Sequence, residues 1–243
     1  MTRQPAISFQ SHSSILSTAP VGAHLTFGKN MTTCYMCEDE ATSVEHAPPQ
    51  SFFPTGHRHQ LLTVRSCDAH NTNTSIDDEY VRNILVTFAG CNELASGLLS
   101  DKTKRSFERS PKLLKRTFQN VIWTEFEDQK TVAFEMELER VESTMHKIAC
   151  ALHFEHFNEK VTWETCSLIK QLVGEDLKGG DADTLFAMLD SQNLAWHGTN
   201  PRVFKYRFLR LAGVPSTFHF VFYEGIDVIV ASFMGDLTNQ AEQ

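Results

Sequence analysis

Four residues in the first third of the chain have the types and the spacing of a zinc site. Cys34 and Cys37 form a C-x-x-C pair, and Cys67 and His70 form a C-x-x-H pair that begins 30 residues after Cys37. Structural zinc is held by four thiolate or imidazole ligands in a tetrahedron. A gap of two residues lets both side chains of a pair close around one ion. We therefore predict structural Zn²⁺ at these four residues, which contributes to folding on the order of 10 kcal/mol.

The loop that this zinc closes contains a second group of polar residues. Glu45 directly precedes His46, and both lie between Val44 and the Pro48–Pro49 pair. Asn71 follows His70 directly. An exposed polar pair on a loop is the simplest interpretation of Glu45 and His46. A pure zinc-binding module, however, has no need for an acid–histidine pair beside its metal loop.

This arrangement resembles the HNH nuclease family, also called the ββα-metal fold. That family often has a C-x-x-C pair, an acid–histidine pair followed by a proline, and a second ligand pair with His or Asn after it. The matching residues are Cys34, Cys37, Glu45, His46, Pro49, Cys67, His70 and Asn71. The stretch SCDAHNTNTSIDDEY is also similar to the SCxxCN…DEY run of one bacterial subgroup, with His70 in place of the fourth cysteine. The resemblance covers about residues 32 to 90.

The resemblance implies hydrolysis of DNA phosphodiester bonds, as an endonuclease or nickase. His46 would be the general base that activates water, because a neutral imidazole can accept a proton near pH 7. A catalytic Mg²⁺ or Mn²⁺ would be held by Glu45 and Asn71, whose oxygen atoms suit such hard ions. Small proteins of this kind often belong to bacterial defence or toxin systems, so protein partners of such a system are expected together with DNA.

The sequence departs from the family pattern in the middle of the motif. An Asn that orients the base is expected near residues 59 to 63, where this chain has His59, Gln60 and Thr63 but no Asn. Asn73 or Asp77 are alternatives to Asn71 as the last metal ligand. His57 and His59 are interpreted as loop-surface residues or phosphate contacts.

Basic residues are concentrated in one segment of an otherwise acidic chain. The formal net charge is −8, which argues against a strong stand-alone nucleic-acid binder. Residues 102 to 116 nevertheless contain seven Lys and Arg residues and one acid, Glu108. Such a run is either a solvated surface or a contact for phosphate. We predict nucleic-acid contacts at Lys102, Lys104, Arg105 and Arg109.

Composition and cysteine use indicate a globular protein in a reducing compartment. Hydrophobic residues make up 41% of the chain, and no apolar run is long enough to span a membrane. The N-terminus is a poor secretory signal. The cysteines outside the zinc group lie in apolar sequence, so free thiols are expected rather than disulfides. These features predict a cytoplasmic protein without membrane contact.

Periodicity predicts the remaining elements. Apolar residues three and four positions apart predict a helix from Asp77 to about Gly90, capped by Ser75 or Asp77. Elsewhere, alternation of apolar and polar residues and a high content of β-branched and aromatic residues predict strands, and apolar residues at helical spacing predict helices. The strands are expected near residues 61–67, 132–138, 203–211, 216–224 and 226–235, and the helices near 141–152 and 183–192.

The predicted fold class is α+β, with a small zinc-stapled ββα-metal module followed by a helix-plus-antiparallel-sheet domain whose helices cover one face of the sheet. The predicted divisions are a flexible arm (1–30), the nuclease module (31–90), a basic connector without strong periodicity (91–120) and an α+β domain of unknown role (121–243). The alternative function is a non-catalytic, zinc-stabilised module that binds nucleic acid or protein.

Overall fold

The computed structural model describes residues 32–88, 90–126, 129–161, 165–169, 181–210 and 216–232. The predicted N-terminal arm, residues 1 to 30, lies outside the described residues.

A β-hairpin and a helix form the first part of the described chain. Strand β1 (Ser43–His46) pairs antiparallel with β2 (Thr63–Ser66), and helix α1 (Ser75–Leu85) follows after two 3₁₀ turns. The prolines after His46 exclude a regular α-helix from the intervening loop, which forms only the short 3₁₀ turns Gln50–Phe52 and Thr55–His57. The predicted strand and helix are therefore confirmed. The helix ends at Leu85, earlier than its expected stop near Gly90.

Residues 91 to 120, the predicted basic connector without strong periodicity, are largely helical. They form α2 (Glu93–Leu98), a π-helical turn (Leu99–Thr103), α3 (Lys104–Arg109) and α4 (Pro111–Thr117). The Asn92 side chain caps α2, and the Ser110 side chain caps α4 with a proline at its first position. Each helix is only six or seven residues long, which is too short to show a clear apolar period.

A second hairpin leads into the longest helix. Strands β3 (Gln119–Phe126) and β4 (Gln129–Glu135) pair antiparallel, and α5 (Leu138–Phe157) follows. The strand predicted near 132–138 is confirmed as β4, whereas β3 is an additional strand. The helix predicted at 141–152 is confirmed and is longer at both ends.

The rest of the chain builds one antiparallel sheet. Its strands are β5 (Thr165–Ile169), β6 (His197–Asn200), β7 (Phe204–Leu209), β8 (Thr217–Phe222) and β9 (Ile226–Ser232). Helix α6 (Asp181–Ser191) lies between β5 and β6 in the chain. The strand order is β5-β9-β8-β7-β6, and every neighbouring pair is antiparallel. The three strands predicted at the C-terminal end and the helix predicted at 183–192 are confirmed.

The largest hydrophobic cluster joins both parts of the chain. Phe218, Phe220 and Phe222 project from one face of β8 into a core that includes Met145 of α5 and Ile84 of α1. Burying each such side chain contributes about 1.5–3 kcal/mol. Residues from the predicted segments 31–90, 91–120 and 121–243 therefore share one core. All three segments belong to one compact unit.

Helix α6 lies on the other face of the sheet. Phe186 and Leu189 pack against Ile229 of β9, whose neighbours Val228 and Val230 face the main core. The expectation that all helices cover one face is therefore wrong for α6. The cause is that β9 is apolar on both faces, as strands between two layers are. The predicted α+β class is nevertheless confirmed. No helix in the described ranges is long and apolar enough to cross a membrane.

Candidate metal centre and the adjoining hairpin

The four predicted zinc ligands lie together beside the first hairpin. Cys34 and Cys37 lie in the turn that precedes β1, whereas Cys67 follows β2 directly. His70 ends the 3₁₀ turn Asp68–His70, which Cys67 directly precedes. Their ligand atoms all lie within 4.8 Å of one another. The pairing of β1 with β2 thus brings together two ligand pairs that are far apart in sequence.

The distances between ligand atoms fit a tetrahedral zinc ion. His70 Nδ1 lies 3.5 Å from the Sγ atoms of Cys34 and Cys37 and 3.3 Å from Sγ of Cys67. The Sγ atoms of Cys37 and Cys67 are 3.7 Å apart. Ideal Zn–S and Zn–N bonds require roughly 3.8 Å between sulfurs and about 3.5 Å between sulfur and nitrogen. This Cys₃His group can therefore hold a metal such as zinc.

The local backbone favours thiolate at one ligand. Burial raises the pKa of the Cys34 thiol, but backbone N–H groups, first that of Met36, outweigh burial and lower this pKa to about 6. The Met36 N–H lies 3.4 Å from Cys34 Sγ. Burial raises the pKa of Cys37 to about 12. A bound cation would hold both sulfurs as thiolates, so binding releases protons.

Glu45 and His46 project from opposite faces of the hairpin. Neighbouring residues of a strand alternate in direction, and β1 follows this rule. Glu45 is buried opposite Val64, whereas His46 is half-buried opposite Thr63. The adjacent pair in the sequence is therefore not a pair of side chains in one site.

The Glu45 carboxylate belongs to a buried charge cluster, which we call the Lys147 cluster and which consists of Lys147, Glu45, Asp78 and Thr74. Lys147 Nζ lies 3.2 Å from Glu45 Oε1, and 2.7 and 2.9 Å from the two carboxylate oxygens of Asp78. It also donates to Thr74 Oγ1 at 2.9 Å. The cluster holds one ammonium between two carboxylates, with β1, α1 and α5 each contributing a charged group.

Burial dominates the ionisation of this cluster. It raises the pKa of Glu45 to about 7, although Lys147 acts in the opposite direction. Burial also raises the pKa of Asp78. One proton shared between the two carboxylates would make the cluster neutral, and the two carboxylates titrate as a coupled pair. Tyr35 is buried nearby, and the pKa of its hydroxyl is raised by burial and then by Glu45.

Lys147 and Asp78 are absent from the predicted site residues. The sequence does contain a signal for Lys147, because it lies between Met145 and Ile148 in the buried part of α5. A lysine inside a buried apolar stripe needs an acidic partner. The sequence does not identify that partner, since Asp78 lies 69 residues earlier.

Asn71 contacts the edge of the same hairpin. Its Nδ2 donates to Ser43 Oγ at 2.9 Å and to the Val44 carbonyl at 3.1 Å. Asn71 thus ties the start of the helical segment to β1. Its side chain lies beside the strand, whereas the Glu45 carboxylate is held by Lys147. Asn71 is thus held at Ser43 and Val44, Glu45 is held by Lys147, and the predicted base His46 projects from the opposite face of β1 to Glu45.

The other candidates near the motif lie at the surface or have other partners. Asp77 accepts a hydrogen bond from Arg140 Nε at 2.6 Å, and Asn73 is exposed. His59 is exposed and His57 is half-buried in the loop between β1 and β2. Burial lowers the pKa of His46, so the imidazole that the resemblance designates as base is neutral near pH 7.

The basic residues lie on the helices after α1. Lys104, Arg105 and Arg109 are exposed, and Lys102 is half-buried in the π-helical turn. Arg105 pairs with Asp101 at 2.5 Å. Lys102 lies close enough to Arg82 and Arg58 that their charges, after burial, lower its pKa.

Comparison of this chain with protein-family models, with curated proteins and with solved structures finds no match.

Proposed function

We propose that the chain is an HNH-type endonuclease or nickase that hydrolyses DNA phosphodiester bonds. The observation that supports this proposal is the order hairpin, then helix, around a Cys₃His cluster that fits zinc. The resemblance places His46 at the end of β1 in the role of base. Its half-buried position and lowered pKa suit a group that must be neutral to accept a proton from water.

The proposed role of Mg²⁺ or Mn²⁺ is less well matched by the geometry. The oxygen donors of Glu45 and Asn71 have the right chemistry for these ions. In the described arrangement, however, the Glu45 carboxylate holds the Lys147 ammonium at 3.2 Å. A cation at Glu45 would have to replace that ammonium, so no step of hydrolysis is assigned to metal here.

This contact favours a second candidate, a zinc-stabilised module that binds nucleic acid or protein without cleaving it. In that case Glu45 has a structural role, because it supplies part of the counter-charge for buried Lys147. The zinc cluster and the exposed basic residues would serve binding alone. Partners from a bacterial defence or toxin system and a cytoplasmic location belong to both proposals.

Plasmid nicking separates the two candidates. Zinc-loaded wild type is incubated with supercoiled DNA in added Mg²⁺, in added Mn²⁺ and without either ion. His46→Ala is expected to lower the cleavage rate by about 10²–10⁴-fold, which is the usual contribution of a general base. His197→Ala is the matched control, because burial lowers the pKa of half-buried His197 as it does that of His46, but His197 lies on β6, outside the first hairpin.

The nuclease proposal requires that His197→Ala keep the wild-type rate and that zinc content and folding stay unchanged in both variants. If His46→Ala cleaves DNA at the wild-type rate, His46 is not the general base and any nuclease activity belongs to another site. DNA binding without cleavage under all three conditions would leave the binding module as the function. Glu45→Gln tests the metal: if Glu45 is a ligand, excess Mn²⁺ should restore part of the lost rate.

A further inference from the structure

A cleft outside the zinc centre has a strongly cationic lining. It lies between the loop that joins β1 to β2 and the segment formed by α2 and the π-helical turn, and its volume is about 370 Å³. This size is at the lower end of small-molecule sites, which are roughly 300–1,000 Å³. The lining residues that matter here are Thr55, Arg58, Gly97, Asp101, Lys102 and Arg105.

The charges of this cleft are not balanced by the protein. The cleft has three cationic side chains and one carboxylate, and that carboxylate, Asp101, is paired with Arg105. Across the part of the chain that the structure describes, no carboxylate lies within ion-pair distance of Arg58 or Lys102. The charge of Glu79 acts on Lys102 and raises its pKa, but Glu79 is already paired with Arg82, so the cleft keeps an excess of positive charge.

The protein holds these two cations in place. Arg58 Nε donates to the Phe53 carbonyl at 2.9 Å, which fixes the plane of the guanidinium. Lys102 is half-buried, and burial together with the charges of Arg82 and Arg58 lowers its pKa. An anion between Arg58 and Lys102 would offset the repulsion between their positive charges. Gly97 leaves room for one, because a Cβ atom at this position would meet nothing within 4 Å.

We propose that this cleft binds a phosphate group. Arg58 would donate two parallel hydrogen bonds from its guanidinium, and Lys102 would supply a point charge. The Thr55 hydroxyl is a further donor on the same wall. The phosphate belongs either to a free mononucleotide or to the end of a nucleic-acid strand. The site uses no zinc ligand and does not use His46, so it does not depend on nuclease activity.

Binding is measured by calorimetry with zinc-loaded protein and without added Mg²⁺ or Mn²⁺. The probes are inorganic phosphate, adenosine monophosphate, and one short single-stranded oligonucleotide with either a 5′-phosphate or a 5′-hydroxyl. Arg58→Gln removes a charged donor and should weaken binding of the phosphate probes by about 10- to 100-fold. Arg210→Gln changes an exposed arginine outside the cleft and should leave binding of inorganic phosphate unchanged.

A second pair of variants tests the space rather than the cation. Gly97→Ala adds a methyl group that meets no neighbour and should bind phosphate like wild type. Gly97→Glu introduces a carboxylate from the same backbone position and should weaken binding at least as much as Arg58→Gln. Circular dichroism checks that all variants fold alike.

A clear preference for the 5′-phosphorylated oligonucleotide over its 5′-hydroxyl form would identify a strand end as the ligand. Equal affinity for both oligonucleotides, with tighter binding of the mononucleotide, would identify the free nucleotide. The proposal is overturned if wild type binds none of the phosphate probes, or if Arg58→Gln and Gly97→Glu bind them as wild type does. Neither result would affect the test of His46, which measures cleavage.

Discussion

Replacement of Lys147 by Met should be one of the most damaging single changes in the protein. The Lys147 side chain is 6% exposed, and its ammonium lies between the carboxylates of Glu45 and Asp78. Met fills a similar volume but leaves both acids buried without a counter-charge. Breaking a buried ion pair in this way costs about 3–5 kcal/mol. For a chain of this size, each kcal/mol lowers Tm by about 2–4 °C, so a decrease of roughly 6–20 °C is expected.

The loss of stability caused by Lys147→Met should depend on pH. In wild type, burial raises the pKa of Glu45 from 4.5 to about 7. The folded protein therefore keeps a proton that the unfolded chain loses between these values, and stability falls as pH rises through this window. Without Lys147, the pKa values of Glu45 and Asp78 rise further, because the one group that lowers them is gone. Both acids are then protonated to a greater extent at pH 5 than at pH 8, so Lys147→Met should cost less at pH 5.

Urea unfolding at pH 5 and pH 8, with zinc present throughout, measures both effects. Lys112→Met is the matched control, since Lys112 is exposed on α4 and should change stability by less than about 0.5 kcal/mol. A triple variant that adds Glu45→Gln and Asp78→Asn to Lys147→Met removes every charge of the Lys147 cluster and should recover much of the loss. A cost below about 1 kcal/mol at pH 8, or the same cost at both pH values, would refute this account.

Two further predictions concern zinc and the exposed basic residues. Cys67→Ser should abolish zinc binding, measured by elemental analysis, and should make the segment from Cys34 to His70 sensitive to protease, measured by limited proteolysis. Zinc-free wild-type protein with full protease resistance would contradict this prediction. Replacing both Lys104 and Arg109 by Gln should reduce the slope of log affinity against log salt by about 1.8 for duplex DNA, while an unchanged slope would mean that these side chains are only solvated.

The sequence predicts those parts of the structure that depend on local pattern. The spacing of Cys34, Cys37, Cys67 and His70 is sufficient to predict the metal cluster, because ligand geometry restricts the choice of residues. The alternating aromatic residues of β8 likewise predict a strand with one face in the core. In the metal cluster each ligand pair is a short local motif, and in β8 the signal comes from alternate residues of one strand.

The parts that could not be predicted depend on long-range contacts or on short elements. The partner of Glu45 is a lysine on α5, and nothing in the sequence near Glu45 indicates it. Adjacent Glu45 and His46 suggest a joint site, but the alternation of β1 separates their side chains. The helices between 91 and 120 are defined by the capping residues Asn92 and Ser110 more than by apolar period.

The Lys147 cluster also has a consequence for synthesis of the chain on the ribosome. Lys147 is added 69 residues after Asp78, when all four zinc ligands are already part of the nascent chain. At about 5–20 residues per second, this delay is roughly 3–14 s. During that time a zinc-bound hairpin packed against α1 would have to bury Glu45 and Asp78 without their cation. The nascent hairpin should therefore remain open on its inner face until α5 has been translated.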